Sequence, residues 1–214
     1  MRDLRRAADR FVTRRDGLET WHSFSYGDHY DEKNVGFGAL VAINEERIPV
    51  AHGYPPHRHE DVEIVTWVLE GTLGHEDSTG QGGHVRPGST QRLSAGSGVE
   101  HSENNAHDEE PLVFVQMMLR STHHGDPEYA MDVVPERPGL HLGVSVHAPA
   151  QLLVARPMDT LLTIPEAERV LIHVTHGDVV VDGENLSEGD ELRLAHQPSA
   201  RLGGSGEALV WLLT

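Results

Sequence analysis

Two short runs, His57-Arg58-His59 and His101-Ser102-Glu103, constrain this chain more than any other feature. Each places two metal-ligating side chains at i and i+2, and alternate positions of a β-strand point to one face. Both runs sit in strand-like, glycine-punctuated sequence. If the two strands face each other, three imidazoles and one carboxylate converge on a divalent metal. Such a set suits Fe(II), Mn(II), Ni(II), Cu(II) or Zn(II) and leaves positions open for water, substrate or O2. An open coordination sphere marks a catalytic kind of site rather than a closed structural one.

The rest of the sequence reads as short strands. Turn signals recur at all-β spacing: GYPP (53–56), EGTLG (70–74), STGQGG (78–83), RPGS (86–89), SAGSG (94–98), HGD (176–178) and EGD (188–190). VEIVTWVLEG (62–71) and LVFVQMMLR (112–120) are apolar on both faces, as expected of strands inside a sandwich or barrel. The stretch 121–140 is rich in Pro, Gly and charge, without sustained alternation. It predicts a crossover, giving an N-terminal metal-binding domain over 1–125, a linker over 126–140 and a C-terminal domain over 141–214. The segment 65–80 also parallels 171–190: an apolar strand, a Gly turn, a second strand and another turn. The second copy has no H-x-H, so two tandem β-barrels are expected, one metallated and one degenerate.

Composition narrows the function classes. With no cysteine, disulfides, thiolate metal sites and cysteine nucleophiles are excluded. No run reaches the roughly 20 apolar residues of a membrane span, and the N-terminus lacks the apolar core of a secretory signal. The expectation is a cytoplasmic protein. The formal net charge is −17. Six arginines (2, 5, 6, 10, 14 and 15) crowd the first fifteen positions, leaving 11 basic against 32 acidic residues from position 16 onward. Such a body repels phosphate backbones, so no direct nucleic-acid binding is expected. The Arg-rich start reads as an exposed first strand or helix on that acidic body. Of the sixteen histidines, His52, His75 and His84 read as surface or turn residues, although His75 could line the pocket mouth or orient a ligand.

The block GYPPHRHEDVEIVTWVLEG (53–71) resembles cupin motif one, and GGHVRPGSTQRLSAGSGVEHSENN (82–105) resembles cupin motif two. The general cupin pattern would place the metal carboxylate at Glu63. A narrower resemblance points elsewhere. WHSFSYGDHYD (21–31), HRHEDVEIVTWVLEG, HEDSTG (75–80) and SAGSGVEHSENN (94–105) together look like the pirin-related bicupins, most like the shorter bacterial quercetinase-like members. The resemblance is dense over 21–120 and thin over 141–214. It implies an all-β bicupin with jelly-roll domains. Carried over residue by residue, it implies His57, His59, His101 and Glu103 as ligands of one divalent transition metal, Fe(II) first among the ions named. Glu63 then becomes a nearby non-ligating carboxylate.

The resemblance further implies quercetin 2,3-dioxygenase chemistry: an enolisable aromatic substrate, O2, ring cleavage and release of CO. Three neutral imidazoles and one carboxylate leave an M(II) site near +1, which suits an anionic oxygen ligand such as a flavonol enolate. Glu103 could take the hydroxyl proton as general base if it loosens from the metal. An aromatic substrate needs an apolar pocket, for which Trp67, Phe24 and Tyr54 are candidates by proximity in sequence. The alternative is a non-enzymatic, metal-dependent redox sensor or binding partner of pirin type, whose acidic body favours a basic protein partner. A metal-dependent isomerase or decarboxylase on the same scaffold is a third reading.

Overall fold

The structure, a computed structural model, describes residues 1–196 and 199–214, and it is almost wholly antiparallel β-sheet. One 3-10 turn, Ala7–Asp9, is the sole helical element among the described residues, and no helix there is long and apolar enough to cross a membrane. The chain divides into two compact units, each made of two sheets, which is the bicupin architecture.

The first strand, β1 (Arg2–Arg5), belongs to the unit built mainly from the C-terminal half. The other unit contains β2 (Phe11–Arg15), β3 (Leu18–His22), β4 (Leu40–Ile48), β5 (Gly53–His59), β6 (Val62–Glu70), β7 (Leu73–Asp77), β8 (Gly82–Val85), β9 (Ser89–Ser94), β10 (Val99–Asn105), β11 (Leu112–Arg120) and β12 (Glu128–Val133). Its larger sheet runs β12-β9-β6-β11-β4-β3-β2, and its smaller one β5-β10-β7-β8. Two apolar clusters join the sheets. One gathers Leu18, Ile48, Val68, Leu112 and Phe114 of the larger sheet with Leu73 and Val85 of the smaller. The other gathers Ala42, Ile64, Leu93 and Met118 with Val99. Burying each such side chain contributes about 1.5–3 kcal/mol.

Between the clusters the inward positions turn polar. Inward residues recur every second position, so β11 presents Leu112, Phe114, Gln116 and Met118 in succession. Cross-strand register lines up His22, Asn44, Gln116, Thr66 and Gln91 on five adjacent strands of the larger sheet. All five are buried. This polar belt is where the histidine-rich strands of the smaller sheet can place ligands without facing hydrocarbon.

The second unit combines β1 with β13 (Gly139–Leu142), β14 (Ala150–Arg156), β15 (Leu162–Ile164), β16 (Arg169–His176), β17 (Asp178–Val181), β18 (Glu184–Ser187), β19 (Glu191–Ala195), β20 (Ala200–Gly204) and β21 (Glu207–Leu213). Its sheets run β1-β19-β16-β21-β14-β13 and β15-β20-β17-β18. The internal repeat is visible here. In both copies a long strand of the larger sheet (β6, β16) passes through a glycine with positive φ (Gly71, Gly177) into a strand of the smaller sheet (β7, β17). The apolar cluster of this second barrel takes successive alternate positions of β16 (Val170, Ile172, Val174) and β19 (Leu192, Leu194), with Val210 of β21. This barrel holds no metal-ligating group of three among the described residues.

The domain boundaries differ from those expected at 1–125, 126–140 and 141–214. Met1–Arg10 joins the C-terminal unit because β1 pairs with β19 along its length, with Arg6 bonded to Asp190 at 2.7 Å and Arg2 to the Val181 carbonyl at 2.7 Å. The Arg-rich start is thus an edge strand on acidic neighbours. Much of the expected linker is also structured, since β12 pairs with β9 over six residues. An edge strand that is mostly exposed needs no apolar alternation, which is why its sequence read as a loop.

Gly53 sets the approach of β5 to β10. A Cβ there would collide with the Glu103 carbonyl and stand 2.6 Å from the Asn104 Cα, both backbone atoms. Gly53→Ala is expected to cost about 1–3 kcal/mol in denaturant unfolding, as overpacking does. An unchanged midpoint would show that the two strands separate freely.

His173 supplies a pH prediction. It is fully buried with neither ring nitrogen bonded, and burial, aided by the nearby Arg10 charge, lowers its pKa from 6.5 to about 3. A depressed folded-state pKa contributes stability above pH 6.5 that is lost as pH falls toward 3. His173→Leu should therefore show a shallower loss of thermal stability between pH 6.5 and 4 than the parent chain. Parallel curves would contradict that assignment.

Candidate metal centre

β5 and β10 are paired neighbours, with His57 opposite His101 and Val99 opposite His59. The i, i+2 spacing puts His57 and His59 on one face of β5. Their ligand atoms and that of His101 all lie within 4.8 Å of one another. Ring centroids are 4.9 Å apart for His57–His59, 4.5 Å for His57–His101 and 5.1 Å for His59–His101. Glu103 belongs to an overlapping group with His101 and His75. His57, His59 and His101 thus form one group and His75, His101 and Glu103 another, with His101 common to both.

The state of each group fits a cation. His57 Nδ1 donates to the Pro55 carbonyl at 2.9 Å, which leaves the Nε2 lone pair outward. His59 Nε2 and His101 Nε2 are buried without a hydrogen-bond partner. Burial, with the positive charge of neighbouring imidazoles, lowers the pKa of His59 to about 4 and of His101 to about 3. Both imidazoles are neutral at physiological pH. An unpartnered buried polar atom costs about 1–3 kcal/mol. Two such nitrogens beside a third free lone pair form a nest that a metal ion satisfies.

Glu103 is buried, and burial raises its pKa to about 7 against the lowering effect of its hydrogen bonds from Gln116. Gln116 Nε2 donates to the two carboxylate oxygens at 3.0 and 2.9 Å, fixing the plane of the group. His75 is also buried, 3.5 Å from His101 between Nδ1 atoms and 3.4 Å from Asp77, with Tyr129 stacked on it at 5.3 Å. It is no surface histidine. His52 and His84 are exposed.

The remaining expected site residues separate by strand face. Tyr54 lies beside the cluster, its ring 6.2 Å from His57 and its hydroxyl donating to Glu46 at 2.7 Å. It lines a cavity of about 400 Å³ with Thr13, Leu18, Thr20 and Pro55. Phe24 is buried. Glu63 and Trp67 fall on the face of β6 opposite Ile64, Thr66 and Val68, so neither reaches the belt. Glu63 instead accepts from Ser94, Ser121 and the His147 N–H. That placement separates the two carboxylates that sequence alone left in competition.

Sequence reading missed Gln116, Thr66, Asn44, Gln91 and Tyr129. A signal existed for the first two: each is a polar interruption at an inward position of an otherwise apolar strand.

The Pirin family profile matches residues 4–119. The chain belongs to the pirin family. It is 32% identical to the quercetin 2,3-dioxygenase of Escherichia coli K12 over 98% of this chain and 96% of that protein. It is 36% identical to a Mycobacterium tuberculosis H37Rv protein provisionally named quercetin 2,3-dioxygenase, over 98% of this chain and 93% of that one. The crystal structure of the E. coli bacterial pirin YhhW in complex with nickel(II) superposes with a TM-score of 0.93 at 31% identity, covering 100% of this chain and 99% of that one.

If Gln116 orients Glu103, then Gln116→Met should weaken divalent-metal binding by roughly 10–100-fold, as loss of an outer hydrogen-bond partner does. Chelator competition on the refolded variant reads this directly. Unchanged affinity would remove the amide from the site.

Proposed function

We propose that this pirin-family chain is a metal-dependent dioxygenase of quercetinase type, acting on flavonols or related enolisable aromatics with O2. The observation that carries the reading is the group of three imidazoles with unpartnered or outward nitrogens, set against a buried carboxylate in a polar belt. The names of the E. coli and mycobacterial relatives support it, and the nickel(II) complex of YhhW supports a divalent ion.

His57, His59, His101 and Glu103 would hold the ion, which supplies Lewis acidity toward an enolisable hydroxyl and a redox partner for oxygen. The chain's own groups do the rest. Glu103 would accept the substrate hydroxyl proton on a carboxylate oxygen once it loosens from the ion. Gln116 holds the carboxylate plane during that transfer. The cavity that Tyr54 lines, about 400 Å³, is large enough for an aromatic ring system.

The test is reconstitution of the stripped chain with Fe(II), Mn(II), Ni(II), Cu(II) and Zn(II) separately, following O2 uptake and CO release with quercetin. Turnover is expected with at least one redox-active ion and not with Zn(II), and His57→Ala should abolish it. Glu103→Gln should retain metal and lose about 10²–10⁴-fold in turnover, the usual worth of a general base. Stoichiometric metal binding with no O2 uptake for any ion would overturn the proposal.

A further inference from the structure

Glu63, the carboxylate that the general cupin pattern assigns to the metal, is put to a different use here. Its Oε1 accepts from the Ser121 hydroxyl at 2.6 Å, and its Oε2 from Ser94 at 2.7 Å and from the His147 N–H at 3.1 Å. The same Ser121 hydroxyl accepts from the His123 N–H at 3.0 Å. The His147 carbonyl in turn accepts from Thr122 N–H at 2.7 Å and from the Thr122 hydroxyl at 3.0 Å. One buried carboxylate thus fixes the backbone at two histidines that are 24 positions apart in sequence.

Those histidines meet over a second carboxylate. The rings of His123 and His147 stack with centroids 4.8 Å apart and planes 26° from parallel. His147 Nε2 is 2.8 Å from Glu128 Oε2, and His123 Nε2 is 3.8 Å from Glu128 Oε1. One ligand atom from each of the three lies within 4.8 Å of the others. The group is open to solvent, with side-chain exposures of 22%, 45% and 38% for His123, Glu128 and His147. Arg92 bonds the same Glu128 Oε2 at 2.9 Å, but its Nε also faces Glu63 at 3.9 Å, so its charge is divided between two carboxylates. His123 Nε2 also donates to the Asp126 carbonyl at 2.8 Å, a proton that leaves when the nitrogen ligates.

We propose that His123, Glu128 and His147 form a second cation site on the outside of the metal-bearing barrel, taking a borderline divalent ion such as Zn(II), Ni(II), Co(II) or Cu(II), with Glu63 as its positioning residue. Two imidazoles and a carboxylate on one side of an ion match the preferences of these metals rather than of Mg(II) or Ca(II), and leave the remaining positions to water. The site shares no ligand with the group at His101, so the two fill independently.

Zn(II) binding to the chelator-stripped full chain, counted by equilibrium dialysis, tests this. His123→Asn/His147→Asn is expected to bind one ion fewer than the parent, while His57→Ala keeps the ion that the double variant loses. Glu63→Gln should keep the inner ion and weaken the outer one by roughly tenfold, as loss of an orienting contact does. Equal stoichiometry in the parent and the double variant would overturn the proposal. A parent that binds one ion, with none left in the double variant, would count against the inner centre and leave the outer one standing. On the unmutated chain, Zn(II) should slow diethylpyrocarbonate labelling of His123 and His147 by at least about fivefold. Unprotected labelling would overturn the proposal without reliance on any variant.

Discussion

Everything at the candidate centre depends on the cost of burying polar atoms between two sheets. A jelly roll filled with Leu, Val and Phe would make the burial of His59, His101 and Glu103 prohibitive, because a desolvated imidazole or carboxylate without partners loses several hydrogen bonds at once. The polar belt through His22, Asn44, Gln116, Thr66 and Gln91 removes that obstacle at one level of the barrel only. Apolar clusters on either side confine the polar level.

The same burial makes the groups chemically apt. Desolvation keeps His59 and His101 neutral, the form in which nitrogen can ligate. Gln116 gives the Glu103 carboxylate two hydrogen bonds. The C-terminal barrel shows the contrasting case. It follows a similar strand order, yet its interior at the corresponding strands is Ile172, Val174, Leu192 and Val210, and it assembles no ligand group among the described residues.

Much of this was legible in the chain. The H-x-H and H-x-E runs, the glycine-punctuated strands and the repeat between 65–80 and 171–190 follow from period-two alternation, a local property. The belt was harder to read, because Gln116 and Thr66 look like incidental polar residues until register aligns them with Asn44 and Gln91. The 126–140 stretch was misread because β12 is an exposed edge, and β1 was misassigned because its partner, β19, comes almost 190 residues later.

The sequence by itself determined the strand content, the donor types and their spacing along each strand, since all three are set within a few residues of chain. Which carboxylate joins the histidines was decided only by tertiary structure. The general cupin pattern points to Glu63 and the narrower resemblance to Glu103, and pairing and pleat direct Glu103 inward to Gln116 and Glu63 outward to Ser94, Ser121 and His147. The face on which a side chain emerges depends on strand register across the sheet, and register is a property of partners far apart in the chain.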